Sequence, residues 1–131
     1  MNRVSATFSI WSKKLQPEKI SEVRGFRPDR TVVPGADRIP PRPRPTAFGW
    51  HVTCCNVNVD LPNTVMMSLV DRISPILREM KYLKKLDRNL VVNFHLNVAP
   101  KSTEIPLWID RKAIDLIAEF GGDLDVEFFD L

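Results

Sequence analysis

Residues 89–99 read NLVVNFHLNVA, and their alternation decides the fold class. Apolar side chains occupy every second position from residue 90 to residue 98, and asparagine and histidine dominate the positions between them. A period of two with one apolar face predicts a β-strand that is buried on one side only. Similar alternation recurs at residues 3–11, 49–59 and 124–129. These segments predict a sheet whose strands each bury one face.

The segments between these strands carry helical signals. Residues 63–86 form the longest amphipathic stretch, with apolar residues at three- to four-residue steps. Pro75 lies inside this stretch and is expected to kink it or divide it near Ser74. A short helix of about two turns is predicted from Pro17. A further helix over residues 111–120 is expected to be capped by Asp110 and ended by Gly121.

The length of 131 residues and the order of these elements predict one α+β domain over residues 1–131. We expect a four- to five-stranded, mainly antiparallel or mixed sheet with two or three helices on one face. The nearest common architecture is a ferredoxin-like arrangement. A Pro/Arg-rich loop at about residues 34–47 interrupts the regular pattern, since proline removes backbone donors and restrains the residue before it.

This loop contains the sequence PPRPRP at residues 40–45, which predicts an extended, polyproline-like arm. Arg38, Arg42 and Arg44 give the arm guanidinium groups, which bind carboxylates and phosphates in bidentate fashion. If the partner is a nucleic acid, Trp11 or Trp50 could stack on its bases. Three interpretations remain open at this point: a surface loop kept soluble by its arginines, a protein-binding arm, or a nucleic-acid-binding arm.

Charge is distributed unevenly along the chain, although the net charge is only +3. Residues 1–50 hold ten Lys/Arg and four Asp/Glu, whereas residues from 104 onward hold eight acids and two bases. Asp123, Asp125 and Glu127 alternate in the last predicted strand and therefore share one face. They form either a solvated outer surface or a site for a cation or a basic partner.

Residues for metal binding or catalysis are few. Cys54, Cys55, His51 and His95 show neither C-x-x-C nor H-x-x-x-H spacing, and no glycine-rich phosphate loop precedes a helix. We therefore expect no metal ligands, no cofactor and no catalytic residues. Adjacent cysteines rarely form a disulfide with each other, which favours the cytoplasm. No apolar run reaches the length of a membrane span, so no membrane partner is expected.

Short motifs throughout the chain resemble a known family. They are Phe8, residues 15–20 (LQPEKI), 25–28 (GFRP), 34–37 (PGAD), 49–50 (GW), 113–122 (AIDLIAEFGG) and 124–126 (LDV). Together they resemble the bacterial domain-of-unknown-function family numbered forty-two seventy-nine. The resemblance implies a small intracellular α+β domain without an assigned reaction, and it supplies no catalytic residues. Small domains of this kind sometimes act as immunity proteins beside bacterial toxins, which is an association with the fold only.

The functional expectation is a non-enzymatic protein-binding module, specifically an immunity-type protein that neutralises a toxin by direct binding. The expected partner-binding residues carry charge or an exposed ring; they are Arg38, Arg42, Arg44, Trp50, Asp123, Asp125 and Glu127. The first alternative is a nucleic-acid-binding module that uses the Arg/Pro-rich loop. A third hypothesis is a thiol- or metal-dependent enzyme centred on the cysteines and histidines. The pattern does not predict whether the chain forms a homo-oligomer.

Overall fold

The computed structural model describes residues 2–21, 27–35, 46–59, 61–100 and 107–129. Its strands are β1 (Asn2–Ser12), β2 (Arg30–Val32), β3 (Phe48–Val59), β4 (Val91–Ala99) and β5 (Asp123–Phe128). Its α-helices are α1 (Pro17–Ser21), α2 (Pro62–Ile73), α3 (Met80–Leu86) and α4 (Arg111–Phe120). A 3-10 helix (Ser74–Glu79) joins α2 to α3.

The strands form one mixed sheet in the order β2-β3-β1-β4-β5. Strand β1 is central and pairs antiparallel with both β3 and β4. Strand β2 pairs antiparallel with β3 at one edge, and β5 pairs parallel with β4 at the other. The β4–α4–β5 unit supplies the helical crossover that a parallel pair requires. The fold is therefore α+β, as the sequence predicts.

One face of the sheet and the helices form a single core. The inward residues of β1, β3 and β4 pack against buried residues from every described helix. At its centre the Phe8 ring lies 5.2 Å from the Phe94 ring and 5.1 Å from the Phe120 ring, measured between centroids. The rings are tilted or edge-on to one another, as aromatic side chains prefer. This packing leaves the second face of the sheet without a described helix.

The long amphipathic stretch divides where the sequence predicts. Helix α2 ends at Ile73, and Pro75 lies at the start of the 3-10 helix, where a missing backbone N–H is tolerated. Helix α4 begins and ends as predicted. The Asp110 side chain accepts a hydrogen bond from the Lys112 backbone N–H, and Gly121 adopts a left-handed conformation with φ of 69°.

The connectivity of β1 to β4 follows the β-α-β-β-α-β order of a ferredoxin-like fold, with α1 between β1 and β2 and the segment α2 to α3 between β3 and β4. The four strands pair antiparallel in the order β2-β3-β1-β4. Helix α4 and strand β5 are an addition to this arrangement. The alternation of each strand cannot predict which strands pair, because pairing joins residues that lie far apart in the chain. Within the described ranges, no helix has the length and apolar character needed to cross a membrane.

Candidate functional site

The polar face of the sheet, opposite the helices, is the first part of the candidate site. Ser5, Thr7 and Ser9 of β1 alternate with the core residues, so their side chains lie on this face. The register sets each of them between one residue of β3 and one of β4. These neighbours are Cys55 and Asn97 for Ser5, Thr53 and His95 for Thr7, and His51 and Asn93 for Ser9.

Side-chain hydrogen bonds cross this face between neighbouring strands. Thr7 Oγ1 lies 3.0 Å from Thr53 Oγ1, and Ser9 Oγ lies 2.7 Å from His51 Nδ1. The Asn97 amide Nδ2 donates to Ser5 Oγ over 3.4 Å, which is long for a hydrogen bond. The Asn97 Oδ1 atom is buried and has no hydrogen-bond partner. Thr7 and Ser9 therefore have short hydrogen bonds to β3, whereas, among the described residues, the Asn97 amide has only one long hydrogen bond and an unpaired oxygen.

His51 is the most deeply buried titratable residue on this face, with 3% of its surface exposed. Burial lowers its pKa to about 4, and the charge of Arg30 adds to this effect. The imidazole is therefore neutral at pH 7, and it packs edge-on to Trp11 with ring centroids 4.8 Å apart.

The Ser9–His51 pair has the hydrogen-bond distance of a nucleophile and its base. Such a pair needs a third group to orient the imidazole, but His51 Nε2 is buried without a hydrogen-bond partner. Ser9 is itself only 6% exposed, so a substrate has little access to its hydroxyl. The pair forms a buried hydrogen bond that joins β1 to β3. Sequence reasoning missed it because Ser9 and His51 are 42 residues apart.

The metal hypothesis depends on His51, Cys55 and His95 meeting on one face. The register places all three on the polar face but in three different rows of paired residues. Over the ranges that the structure describes, no group of three His, Cys, Asp or Glu side chains could hold a metal ion. Both cysteines are free, with Cys54 half-buried and Cys55 exposed.

The acidic residues of β5 form the second part of the site, which we call the acidic strand (Asp123, Asp125 and Glu127). All three are exposed and extend the polar face to the edge of the sheet. In the β4–β5 register, Asp123 pairs with Asn93, Asp125 with His95 and Glu127 with Asn97. Glu127 Oε1 lies 3.4 Å from His95 Nε2.

Strand β5 and the residue after it also carry large, exposed apolar side chains. Val126 and Phe128 alternate with the acids and remain 36% and 54% exposed, and Phe129 follows at 47%. The structure thus places three carboxylates on one side of a short edge strand and exposed Val126 and Phe128 on its other side. No described strand pairs with the outer edge of β5.

Trp50 is not part of this surface. Its side chain is fully buried on the helix-covered face, edge-on to Phe8 with centroids 6.2 Å apart. Its indole Nε1 donates to Ser21 Oγ over 3.0 Å. The expectation that Trp50 contacts a partner is wrong for this structure, because the β3 register turns position 50 inward together with Val52. Arg38, Arg42 and Arg44, the other basic residues expected to bind a partner, lie outside the described residues.

A cavity of about 430 Å³ is the third part of the site. It opens on the polar face where β1 begins and β4 ends. Arg3 and Phe129 contribute to its lining together with the row formed by Ser5, Cys55 and Asn97. The alternation within each strand places these residues on the polar face. Their convergence was not predicted, because it depends on strand order.

The fold and site define a class of protein: an α+β domain with one helix-covered sheet face, one polar face and an acidic edge strand. The family model described as Domain of unknown function (DUF4279) matches residues 2–131, and the chain belongs to that family. The resemblance inferred from the short motifs is confirmed. Comparison with curated proteins and with solved structures finds no significant match.

Proposed function

We propose that this chain is a non-enzymatic protein-binding module of the bacterial cytosol, an immunity-type protein that neutralises a toxin by direct binding. The observation that carries the proposal is that one sheet edge, with which no described strand pairs, exposes the acidic strand on one side, Val126 and Phe128 on the other, and Phe129 at its end. Aromatic residues surrounded by polar groups are characteristic of protein interfaces. The acidic strand is proposed to contact a basic surface of the partner.

Charge supports a steering role for the acidic strand. Asp123 and Asp125 are exposed, and no described ion pair neutralises them. Exposed charges of one sign speed the encounter with an oppositely charged protein, whereas buried aromatic anchors contribute more to the lifetime of a complex. Phe129 provides such an anchor on the polar face, and Phe128 provides one on the other side of the same edge strand. The strand therefore combines the two kinds of contact that a tight complex uses.

The nucleic-acid alternative rests on Arg38, Arg42 and Arg44, which lie outside the described residues. The acidic strand would repel phosphate rather than attract it. Among the described residues, no observation favours nucleic acid over protein as the partner. The two hypotheses still differ in a measurable way, since phosphate contacts make binding to duplex DNA fall steeply with salt.

The test uses the full chain and the protein encoded by the gene next to its own. The proposal predicts a stoichiometric complex on size-exclusion chromatography with light scattering. Charge reversal at Asp123→Lys, Asp125→Lys and Glu127→Lys should abolish it. A matched triple variant with exposed acids on the helical side, Asp71→Lys, Asp115→Lys and Glu119→Lys, should keep it. Absence of a complex, or equal loss with both triple variants, would contradict the proposal.

A further inference from the structure

The cavity on the polar face has the size and chemistry of a small-molecule site. Its volume of about 430 Å³ falls within the range of about 300–1,000 Å³ that is typical of ligand pockets. Six of its lining residues provide either hydrogen-bond donors or apolar surface: Arg3, Ser5, Cys55, Asn97, Ala99 and Phe129. The acidic strand contributes none of the cavity residues that the structure describes, so this site is separate from the proposed protein interface except at Phe129.

The polar part of the lining favours an anion. Arg3 supplies a guanidinium group, and Ser5 and Asn97 supply a hydroxyl and an amide. The long 3.4 Å contact between Asn97 Nδ2 and Ser5 Oγ is a weak hydrogen bond, so either group can turn to a ligand at little cost. No Asp or Glu is among the cavity residues described by the structure. A single guanidinium group with neutral donors suits a carboxylate, which it can bind through two parallel hydrogen bonds.

The apolar part of the lining favours an uncharged ligand body. Cys55, Ala99 and Phe129 contribute a thiol, a methyl group and a phenyl ring. The backbone N–H of Phe129 donates to the Val98 carbonyl over 2.9 Å, so the residue stays attached to the sheet beyond the end of β5. Its ring is nevertheless 47% exposed. A ligand with an aromatic body would cover part of this ring.

Glu127 is the acid in the same row of the sheet as Ser5 and Asn97, and its position is compatible with an anion in the cavity. Glu127 pairs with Asn97 in the β4–β5 register. Its Oε1 atom lies 3.4 Å from His95 Nε2, in the adjacent row of residues. Its charge is therefore directed away from Arg3, which keeps the cavity suited to an anion.

We infer that this cavity binds a small carboxylate that carries an aromatic body. The carboxylate is held by Arg3 with Ser5 and Asn97, and the ring packs against Phe129. This inference does not require the proposed protein partner, because the cavity can fill in the free chain, although Phe129 belongs to both surfaces.

The experiment is a ¹H–¹⁵N NMR titration of the full chain with 3-phenylpropionate, compared with its neutral amide and with acetate. The inference predicts saturable shifts at the amides of Ser5, Cys55 and Asn97 for the acid. Binding of 3-phenylpropanamide should be about ten-fold weaker, since it lacks the charge-assisted hydrogen bonds, and acetate should be weaker still.

Variants separate specific from nonspecific binding. Arg3→Met should lower the affinity for the acid about ten-fold and leave that for the amide unchanged. Cys55→Trp should fill the cavity and remove binding of both. The control Arg111→Met alters an exposed arginine on the helical side and should change neither affinity. Non-saturable shifts, equal binding of acid and amide, or equal effects of Arg3→Met and Arg111→Met would overturn the inference.

Discussion

Ser12 Oγ donates a 2.6 Å hydrogen bond to Asp87 Oδ2, which joins the end of β1 to the residue that follows α3. Both residues are only 2% exposed. The same hydroxyl accepts from the Leu15 backbone N–H, and Asp87 Oδ1 accepts from the Asn89 backbone N–H. These bonds join the turn that follows β1 to the turn that follows α3. A buried carboxylate of this kind is stable only while its hydrogen bonds are present.

The first prediction concerns this junction. Ser12→Ala removes a donor from the buried Asp87 carboxylate and should lower the free energy of unfolding by about 2–3 kcal/mol. Ser68→Ala alters an exposed serine on α2 and should change it by no more than about 0.5 kcal/mol. Urea unfolding followed by circular dichroism measures both values. Equal effects of the two substitutions would show that Asp87 does not depend on Ser12.

The second prediction concerns the pH dependence of stability. The pKa of His51 is lowered from 6.5 to about 4 in the folded chain by burial and by the charge of Arg30. Between these values the unfolded chain binds a proton that the folded chain does not, so acid favours unfolding. This difference corresponds to about 3 kcal/mol that is present at pH 7 and lost as the pH falls toward 4.

The variant His51→Gln isolates this contribution because it removes the titrating group. The stability of the natural chain relative to this variant should decrease steadily from pH 7 to pH 4, measured by urea unfolding at each pH. A relative stability that stays constant over this range would show that His51 is protonated equally in the folded and unfolded chains.

The third prediction concerns the close packing around Gly49. A Cβ atom at this position would lie 2.7 Å from Trp11 Cζ3 and 2.8 Å from His51 Nε2. Gly49→Ala should therefore destabilise the fold by about 1–3 kcal/mol through overpacking. In a Trp11→Leu background the cost should be smaller, because the indole ring is absent. A double-mutant cycle measures this coupling, and strictly additive effects would contradict the contact.

Local structure could be predicted well from the sequence, because alternation and capping depend on neighbouring residues. The pattern from residue 89 to residue 99 predicts β4 to within two residues of its observed start at Val91. Asp110 and Gly121 predict both ends of α4. Pro75 predicts the division of the long helical segment. Each of these signals lies within or beside the element that it defines.

The candidate site was less predictable, because it depends on strand pairing. Ser5 and Asn97 are 92 residues apart in the chain, yet they share one row of the sheet. The expectation that Trp50 lies at the surface is wrong, although its alternation with Val52 places both side chains on one face. A core of this size needs several large apolar side chains, and this requirement favours burial of Trp50. The acidic strand was predictable, since its three acids alternate within one short segment.

The most direct test of the proposed function is the ionic-strength dependence of the association rate constant with the neighbouring gene product. The account predicts that this rate falls markedly as salt screens the acidic strand, and that Asp123→Asn, Asp125→Asn and Glu127→Gln together lower the rate and flatten its salt dependence. The same change on the helical side, at Asp71, Asp115 and Glu119, should leave both unchanged. An association rate that is insensitive to the acidic strand, measured by stopped-flow fluorescence, would contradict the account.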